Sequence, residues 1–388
     1  DKGLPLDERV LRYTAGEDHV LDARLVAYDV RGSIAHATML ASVGLISESD
    51  RDAIRDGLKE LEASFDAGDW QITLADEDVH TALETRLTAA IGEAGGRLHL
   101  GRSRNDQVLT ALRLYLIDAA ADLAERLAKL RASIGGLVER QGDVALPGYT
   151  HMQHAMPSSV ALWCGGFDEA FADSQDGLAA AARRARKNPL GSAAGYGTPG
   201  LPLDRQQTTE LLGFDAVQEP VTAVQLSRGK AESTLLFEIT LLLQDLGRMA
   251  SDLLLFYTQE FRYVALPSDA TTGSSIMPQK QNPDVLELLR GASSTAQACL
   301  DEALMITAKL PSGYQRDLQR LKSPLFRGID LAIDSVDIMA HVLDGIEFLA
   351  DNIEIDPGSY ATEEAYKLVT DEGMAFRDAY RKIGERYK

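Results

Sequence analysis

RSRNDQVLTALRLYLIDAAADLAERLAKLRASIGGLVE, residues 102–139, is the stretch that decides the fold. Apolar residues recur in it at alternating steps of three and four: Leu109, Leu112, Leu116, Ala120, Leu123, Leu127, Leu130, Ile134 and Leu137. This spacing places them on one stripe of a helix, and no period-two alternation competes with it. The stretch predicts a helix of about thirty residues that packs side by side with other long helices.

Further helical patterns cover residues 160–186, 226–257, 285–309 and 328–351. Shorter helical segments separated by glycines precede the long stretch, and an Ile355-Asp-Pro-Gly358 turn begins a last short piece. We therefore predict an all-α fold with three domains. They are a small N-terminal helical domain (residues 1–101), a central bundle of five long helices (102–352) and a short C-terminal helical domain (353–388).

The charge balance narrows the possible partners. The 388 residues include 39 Lys+Arg and 59 Asp+Glu, a formal net charge of -20 at pH 7. Such a surface repels nucleic acid and anionic membranes, so we expect neither as a partner. The acidic excess fits an ordinary cytosolic enzyme or one from a salt-adapted organism. The most apolar stretch, residues 235–257, is interrupted by four charged residues, which indicates a core helix and not a membrane span.

Two features indicate a cytoplasmic location. Residues 1–10 are polar and lack the apolar segment of a signal peptide. Cys164 and Cys299 lie far apart in apolar helical patterns, which favours buried thiols in a reducing compartment over a disulfide.

The loop Thr272-Gly-Ser-Ser-Ile-Met-Pro-Gln-Lys-Gln-Asn-Pro-Asp284 carries the clearest chemical signal. It combines two hydroxyls, a cation and an amide with the start of a predicted helix, which Asn282 or Asp284 is expected to cap. A serine is a poor base in water, but Lys280 and a helix N-terminus would stabilise its alkoxide. The same donors would stabilise the charge that forms when a proton leaves carbon beside a carboxylate.

This loop resembles the signature loop of the fumarase/aspartase superfamily, whose members eliminate fumarate from succinyl-type substrates. The resemblance implies that Ser274 is the catalytic base and that Lys280 and Asn282 hold a substrate carboxylate. The alternative is a Gly/Ser-rich loop that only caps a helix.

Two further segments are similar to those of argininosuccinate lyases. Gly101-Arg-Ser-Arg-Asn-Asp-Gln-Val108 implies substrate contacts by Ser103, Arg104 and Asn105, since arginine forks and an amide suit a dicarboxylate. Gly148-Tyr-Thr-His-Met-Gln153 implies that Thr150 binds a carboxylate and that His151, tuned by Glu287, protonates the leaving nitrogen. The alternative for the first segment is an arginine-rich helix start that forms local salt bridges. The alternative for His151 is a histidine that is hydrogen-bonded in the core and has no catalytic role.

Several weaker segments resemble segments of the same family and occur in the same order and at the same spacing. Taken singly, each is more simply explained as a solvated, charged helix face. By resemblance, they add Asp22, Asp78, His80, Tyr314, Gln319 and Lys322 to the substrate-binding residues. The argininosuccinate lyase family implied by these motifs needs no cofactor. It is homotetrameric, with each active site drawing loops from three subunits. We also expect the stripe of residues 109–137 to need a partner chain for its burial.

Two other patterns are rejected. His151 and His154 have no third ligand at a suitable spacing, so no metal is expected. Gly195-Tyr-Gly-Thr-Pro-Gly200 matches G-x-G-x-x-G, but no strand precedes it and a proline interrupts it, so dinucleotide binding is not expected.

The chain also departs from the family. It lacks an opening Trp-Gly-Gly-Arg-Phe stretch, has Leu100 in place of a threonine, has a shorter tail, and reads Ser227-Arg228-Gly229 where the family has Ser-Asp-Arg. On a helix, the one-position offset of Arg228 would swing its side chain by about 100°. Either the local path shifts or the contact to substrate is lost. Two alternatives therefore stay open: a sister lyase acting on another N-substituted aspartate, and a structural relative comparable to the δ-crystallins.

Overall fold

The computed structural model describes residues 7–387, and the all-α prediction is confirmed. The first six residues of the polar N-terminal stretch and Lys388 lie outside the described residues. The helices, in chain order, are α1 (Glu8–Ala15), α2 (Asp18–Leu21), α3 (Val26–Ser42), α4 (Glu48–Asp66), α5 (Val79–Ile91), α6 (Glu93–Gly96), α7 (Arg104–Gln141), α8 (Val160–Ala185), α9 (Arg205–Leu212), α10 (Thr222–Leu226), α11 (Lys230–Tyr257), α12 (Asp284–Thr307), α13 (Lys322–Gly345), α14 (Ala361–Glu372) and α15 (Phe376–Gly384). Short 3-10 turns occupy Asp22–Leu25, Arg97–His99, Ser268–Ala270, Arg316–Leu321, Ala350–Asn352 and Pro357–Tyr360.

Short strands form four two-stranded ladders in residues 7–387. The strands are β1 (Ala145–Thr150), β2 (Gln153–Ser159), β3 (Lys187–Asn188), β4 (Ala216–Val217), β5 (Val264–Ala265), β6 (Thr272–Gly273), β7 (Gln281–Asn282) and β8 (Glu347–Phe348). The pairs are β1–β2, β5–β8 and β6–β7, all antiparallel, and β3–β4, which is parallel. Their role is to fix the connections between helices.

The described residues fall into two compact units, each discontinuous in sequence. The first unit contains residues 7–124, 176–240 and 295–331, and the second contains 125–175, 241–294 and 332–387. The three-domain division stays a prediction.

The apolar stripe of α7 is buried along its whole length. All nine stripe residues are at most 3% exposed within this single chain. The periodicity therefore predicted the buried face correctly. The expectation that the stripe needs a partner chain for its burial is wrong, because other helices of the same chain already cover it.

Two long helices differ from the pattern. The expected helix 226–257 is two helices, because residues 227–229 leave the helical path between α10 and α11. The expected helix 328–351 begins earlier, at Lys322, and ends at Gly345. Pro324 does not prevent the early start, since a proline in the first helical turn removes an N–H that has no partner there. No helix within residues 7–387 is both long and apolar enough to cross a membrane.

Candidate active site

The loop that contains Ser274, here called the serine loop (residues 272–284), lies in the second unit and forms a hairpin. The two residue pairs of β6 and β7 form the base of this hairpin. Thr272 pairs with Asn282 and Gly273 with Gln281, so Ser274 and Lys280 are the next residues at the two ends of the loop. Ser274 Oγ accepts hydrogen bonds from the backbone N–H of Ile276 (3.3 Å) and Met277 (3.1 Å). Donors aimed at a hydroxyl oxygen stabilise its ionised form, so this loop favours an alkoxide.

The helix after this loop starts differently from the prediction. α12 begins at Asp284, one residue before the expected start, and the carbonyl of Pro283 accepts the N–H groups of Leu286 and Glu287. In the described chain, neither Asn282 nor Asp284 caps the first turn with its side chain, and the Asp284 carboxylate accepts the hydroxyl of Thr272 instead. The N–H donors to Ser274 therefore come from the loop itself.

His151 lies at the tip of the β1–β2 hairpin, also in the second unit. His151 and Met152 have φ angles of 52° and 60°, between the paired residues Thr150 and Gln153. Two successive positive φ angles are typical of a tight hairpin turn, where Asn-Gly is the usual sequence. Residues other than glycine held in this conformation cluster at functional sites. The turn leaves Thr150 and the His151 ring exposed.

The hairpin and the serine loop share no hydrogen bond or ion pair within residues 7–387. His151 contacts neither Ser274 nor Glu287 in this way, so the predicted pairing of His151 with Glu287 stays a prediction. His154 is engaged elsewhere, because its Nε2 lies 2.9 Å from the hydroxyl of Tyr149.

Six of the predicted residues line one cavity of about 180 Å³ in the first unit: Asp78, Arg104, Asn105, Tyr314, Gln319 and Lys322. We call this the first cavity. Its wall also contains Ala15, Asp18, Glu77, Val108, Arg228 and Arg316. Of these six additional residues, only Arg228 was singled out from the sequence, as a departure from the family.

Lys322 is a buried cation held by two carboxylates. Its Nζ lies 2.6 Å from Asp22 Oδ1 and 2.9 Å from Asp18 Oδ1. Burial opposes its charge, but Asp22 and Asp18 raise the pKa of Lys322 above its usual value. Burial raises the pKa of Asp18 to about 6, although Lys322 opposes this shift. Asp22 is fully buried and also accepts the N–H of Val79, so it fixes Lys322 from behind the cavity wall.

Arg104 is oriented by the start of α5. Asp78 caps that helix by accepting the N–H of Thr81, and its other oxygen lies 3.2 Å from Arg104 Nε. Arg104 also donates to the Thr81 hydroxyl. Ser103, one residue before α7, accepts the N–H of Asn105 and therefore supports this helix start without lining the cavity.

His80 lies behind the first cavity and is 3% exposed. Its Nδ1 is 3.2 Å from Asp29 Oδ1, yet neither ring nitrogen makes a well-aligned hydrogen bond within the described chain. Burial opposes protonation, but Asp29 raises the pKa of His80 overall. Gln107 donates to the same Asp29 carboxylate. His80 can therefore support the first cavity from behind its wall as a cation paired with Asp29.

Gln319 forms hydrogen bonds with three residues around the first cavity. Its amide donates to the carbonyl oxygens of Thr14 and Ala15, and its Oε1 accepts from Arg316. Gln319 therefore also holds the end of α1 against the cavity wall.

Arg228 reaches the first cavity because residues 227–229 are not helical. Gly229 has a φ of 84°, which breaks the path between α10 and α11. Arg228 lines the cavity, and its Nε and Nη1 have no hydrogen-bond partner in the described chain. Glu232 lies 3.9 Å away. Both alternatives for the one-position offset, a shifted local path and a lost contact to substrate, stay open.

Asp106 is a buried residue that the sequence reasoning missed. Its carboxylate accepts the N–H groups of Ser103, Gly191 and Ala193, and so joins the start of α7 to the loop of residues 189–195. Burial raises the pKa of Asp106 to about 6, against the effect of these donors. Its place directly after Asn105 was the available signal.

The chain is a lyase, since the family model described as Lyase matches residues 9–298, about three quarters of the chain. The chain belongs to the argininosuccinate lyase family. An argininosuccinate lyase of Sorangium cellulosum is 45% identical over 385 residues, which is 99% of this chain and 89% of that protein. One of Phocaeicola vulgatus is 41% identical over 394 residues, 99% of this chain and 86% of that protein. Among solved structures, an EDDS lyase variant with bound fumarate superposes with a TM-score of 0.83 at 25% identity, covering 99% of this chain and 76% of the other.

These findings confirm the predicted resemblance and the prediction of an enzyme that is a carbon–nitrogen lyase. The family acts on small molecules. The roles of the individual residues stay predictions.

Proposed function

We propose that the chain cleaves argininosuccinate reversibly to arginine and fumarate, with Ser274 as the base. The observation that carries the proposal is the pair of backbone N–H groups directed at Ser274 Oγ, within a chain of this family. These donors make proton abstraction by a serine chemically reasonable at neutral pH.

Five residues take part in the proposed elimination. Ser274 takes the proton from the carbon beside the carboxylate, and the electron pair moves into an aci-carboxylate that Lys280 and Asn282 stabilise. This pair then forms the double bond of fumarate as the carbon–nitrogen bond breaks. His151, partnered by Glu287, protonates the leaving guanidinium nitrogen. No cofactor takes part in this scheme.

The first cavity provides charges of both signs for the rest of the substrate. Arg104, Arg228 and Lys322 suit the carboxylates of argininosuccinate. Asp18, Glu77 and Asp78 suit its cationic groups. Within this scheme, Arg104, Asn105 and Thr150 hold the succinyl carboxylates, and Ser103, Asp22, His80, Tyr314 and Gln319 complete or support the binding surface.

We further propose a homotetramer in which loops of different subunits complete each site, in a cytoplasmic protein. Support for the shared site comes from the exposed positions of His151 and of the loop around Ser274, which leave both accessible to another chain. The two buried cysteines, both free, fit a reducing compartment.

A substrate panel tests the proposal. Fumarate release, followed by its ultraviolet absorbance, should be fast with argininosuccinate and weak with adenylosuccinate, aspartate and malate. The departures at Arg228, Gly229 and Leu100 motivate the second candidate, a sister lyase, and faster release from another N-substituted aspartate would favour it. No release from any substrate would favour a structural relative.

A further inference from the structure

A second cavity, of about 520 Å³, lies in the first unit and is lined by basic side chains. Its cations are Arg113, Arg183, Arg184, Lys187 and Lys230, and its single carboxylate belongs to Glu232. We call it the basic cavity. A net charge of about four positive units is concentrated here, in a chain whose own net charge is -20.

Four of these cations lack a carboxylate partner. Arg183, Arg184, Lys187 and Lys230 are exposed and form no ion pair in the part of the chain that the structure describes. Many other basic side chains of this acidic chain do pair, such as Arg131 with Asp168 and Arg24 with Asp330. The carboxyl end of α8 attracts Arg183 and Arg184 through its dipole. That attraction does not explain the remaining cations.

The inner wall contains a buried arginine that is incompletely satisfied. Arg113 is 3% exposed and donates to the Lys187 carbonyl and the Ser227 hydroxyl. Its Nε has no hydrogen-bond partner within residues 7–387. Burial lowers the pKa of Arg113 to about 10, with Glu232 opposing this shift and Arg228 adding to it. A buried charge of this kind calls for a negative partner.

We propose that the basic cavity binds a small multivalent oxyanion, of phosphate or polycarboxylate chemistry, at a place distinct from the first cavity. Arginine forks and ammonium groups around one concave surface are the usual recognition elements of such anions. The apolar floor, which includes Leu109 and Leu116, accommodates the body of an organic anion.

The test is titration calorimetry with inorganic pyrophosphate, with citrate in a second arm and acetate as the monovalent comparison. We expect one saturable site per chain for pyrophosphate or citrate, retained in the variant Arg104→Gln, which removes a cation of the first cavity. The arm that binds more tightly distinguishes phosphate from carboxylate chemistry. Acetate should bind far more weakly, since it cannot engage several cations at once.

A variant pair makes the test specific. The triple variant Arg183→Gln, Arg184→Gln and Lys187→Gln changes exposed residues and should weaken binding by about tenfold or more, because each lost charge-assisted contact lowers affinity. The control triple Lys129→Gln, Arg248→Gln and Arg381→Gln removes the same charge from other exposed helix positions and should bind like the unaltered chain.

Three results would overturn the proposal. They are no saturable binding of either anion, equal weakening in both triples, and binding that Arg104→Gln abolishes. A change of oligomeric state in the first triple alone would also overturn it, because the cations would then serve a contact between copies of the chain.

Discussion

Ser274 is the residue on which the proposed chemistry depends. Ser274→Ala should lower kcat by about 10²–10⁴-fold with little change in KM, because general base catalysis contributes on that scale. Ser275→Ala is the matched control, since Ser275 is the exposed neighbouring hydroxyl and forms no hydrogen bond in the described chain. Fumarate absorbance gives both constants. Equal activity of the two variants would remove Ser274 from the role of base.

Asp18 gives a prediction about pH. Its pKa of about 6 in the folded chain lies above the ordinary value of 3.8, so the folded state binds this proton more tightly than the unfolded state. The resulting stability is present below about pH 4 and is lost as the pH rises through about 6, by at most about 3 kcal/mol. In Asp18→Asn this loss of stability should be absent. The urea concentration at the midpoint of unfolding should therefore rise, relative to that of the unaltered chain, as the pH increases from about 4 to about 6.

The control for this measurement is Asp317→Asn at an exposed carboxylate. Its midpoint measures the effect of removing one exposed negative charge, and the curve of Asp18→Asn is compared with it. Parallel curves for the two variants would contradict the raised pKa.

At the scale of elements, the break between α10 and α11 is the most sensitive point. Gly229→Ala would place a Cβ 2.3 Å from Thr307 Cγ2 at a φ of 84°, so at least about 1–3 kcal/mol of stability should be lost. The KM should also rise, because Arg228 would move. Gly291→Ala, in α12 with open space around it, should instead be neutral or stabilising by up to about 1 kcal/mol. Thermal unfolding of both variants measures the contrast, and equal effects would contradict it.

The elements that sequence predicted best are those with a strong period. The stripe of α7 and the extent of α8 follow from apolar spacing alone. The β1–β2 hairpin was missed because its turn is His151-Met152 and not a glycine-containing pair, and because Pro147 interrupts the first strand. The expected start at residue 328 differs from the observed start of α13 at Lys322, since a proline in the first helical turn, here Pro324, does not prevent a helix.

Some residues of the candidate site could be predicted from the sequence, and others could not. Motifs brought out Arg104, Asn105 and Lys322, which do line one cavity. Glu77 and Arg316 lie in two of the weaker segments, residues 76–80 and 314–322, but were not predicted as site residues because the resemblance assigns the substrate contacts there to other residues. They come together only through tertiary packing, at a separation of 3.8 Å between their charged groups. The place of Arg228 in the cavity wall could likewise not be predicted, since it depends on the φ angle of Gly229, which cannot be read from residue order.

At the scale of the whole molecule, the proposed sharing of sites between subunits can be tested by complementation. His151→Asn and Ser274→Ala should each be nearly inactive. If different subunits provide the two residues, mixed tetramers should recover roughly a quarter of the normal activity by random assortment. The measurement is fumarate release after co-refolding or co-expression of the two variants. No recovery in mixtures shown to be mixed would place both residues in one chain.

The link through Asp106 has a consequence for how this enzyme can change its substrate. The carboxylate of Asp106, near the start of α7, accepts the backbone N–H group of Ser103 beside it and those of Gly191 and Ala193 in the loop of residues 189–195. Because these amides belong to the main chain, replacing the side chains around them leaves the tether intact. New specificities are therefore expected to arise by exchanging residues on a fixed frame, and insertions in the loop between residues 189 and 195 should be selected against even far from any bound molecule.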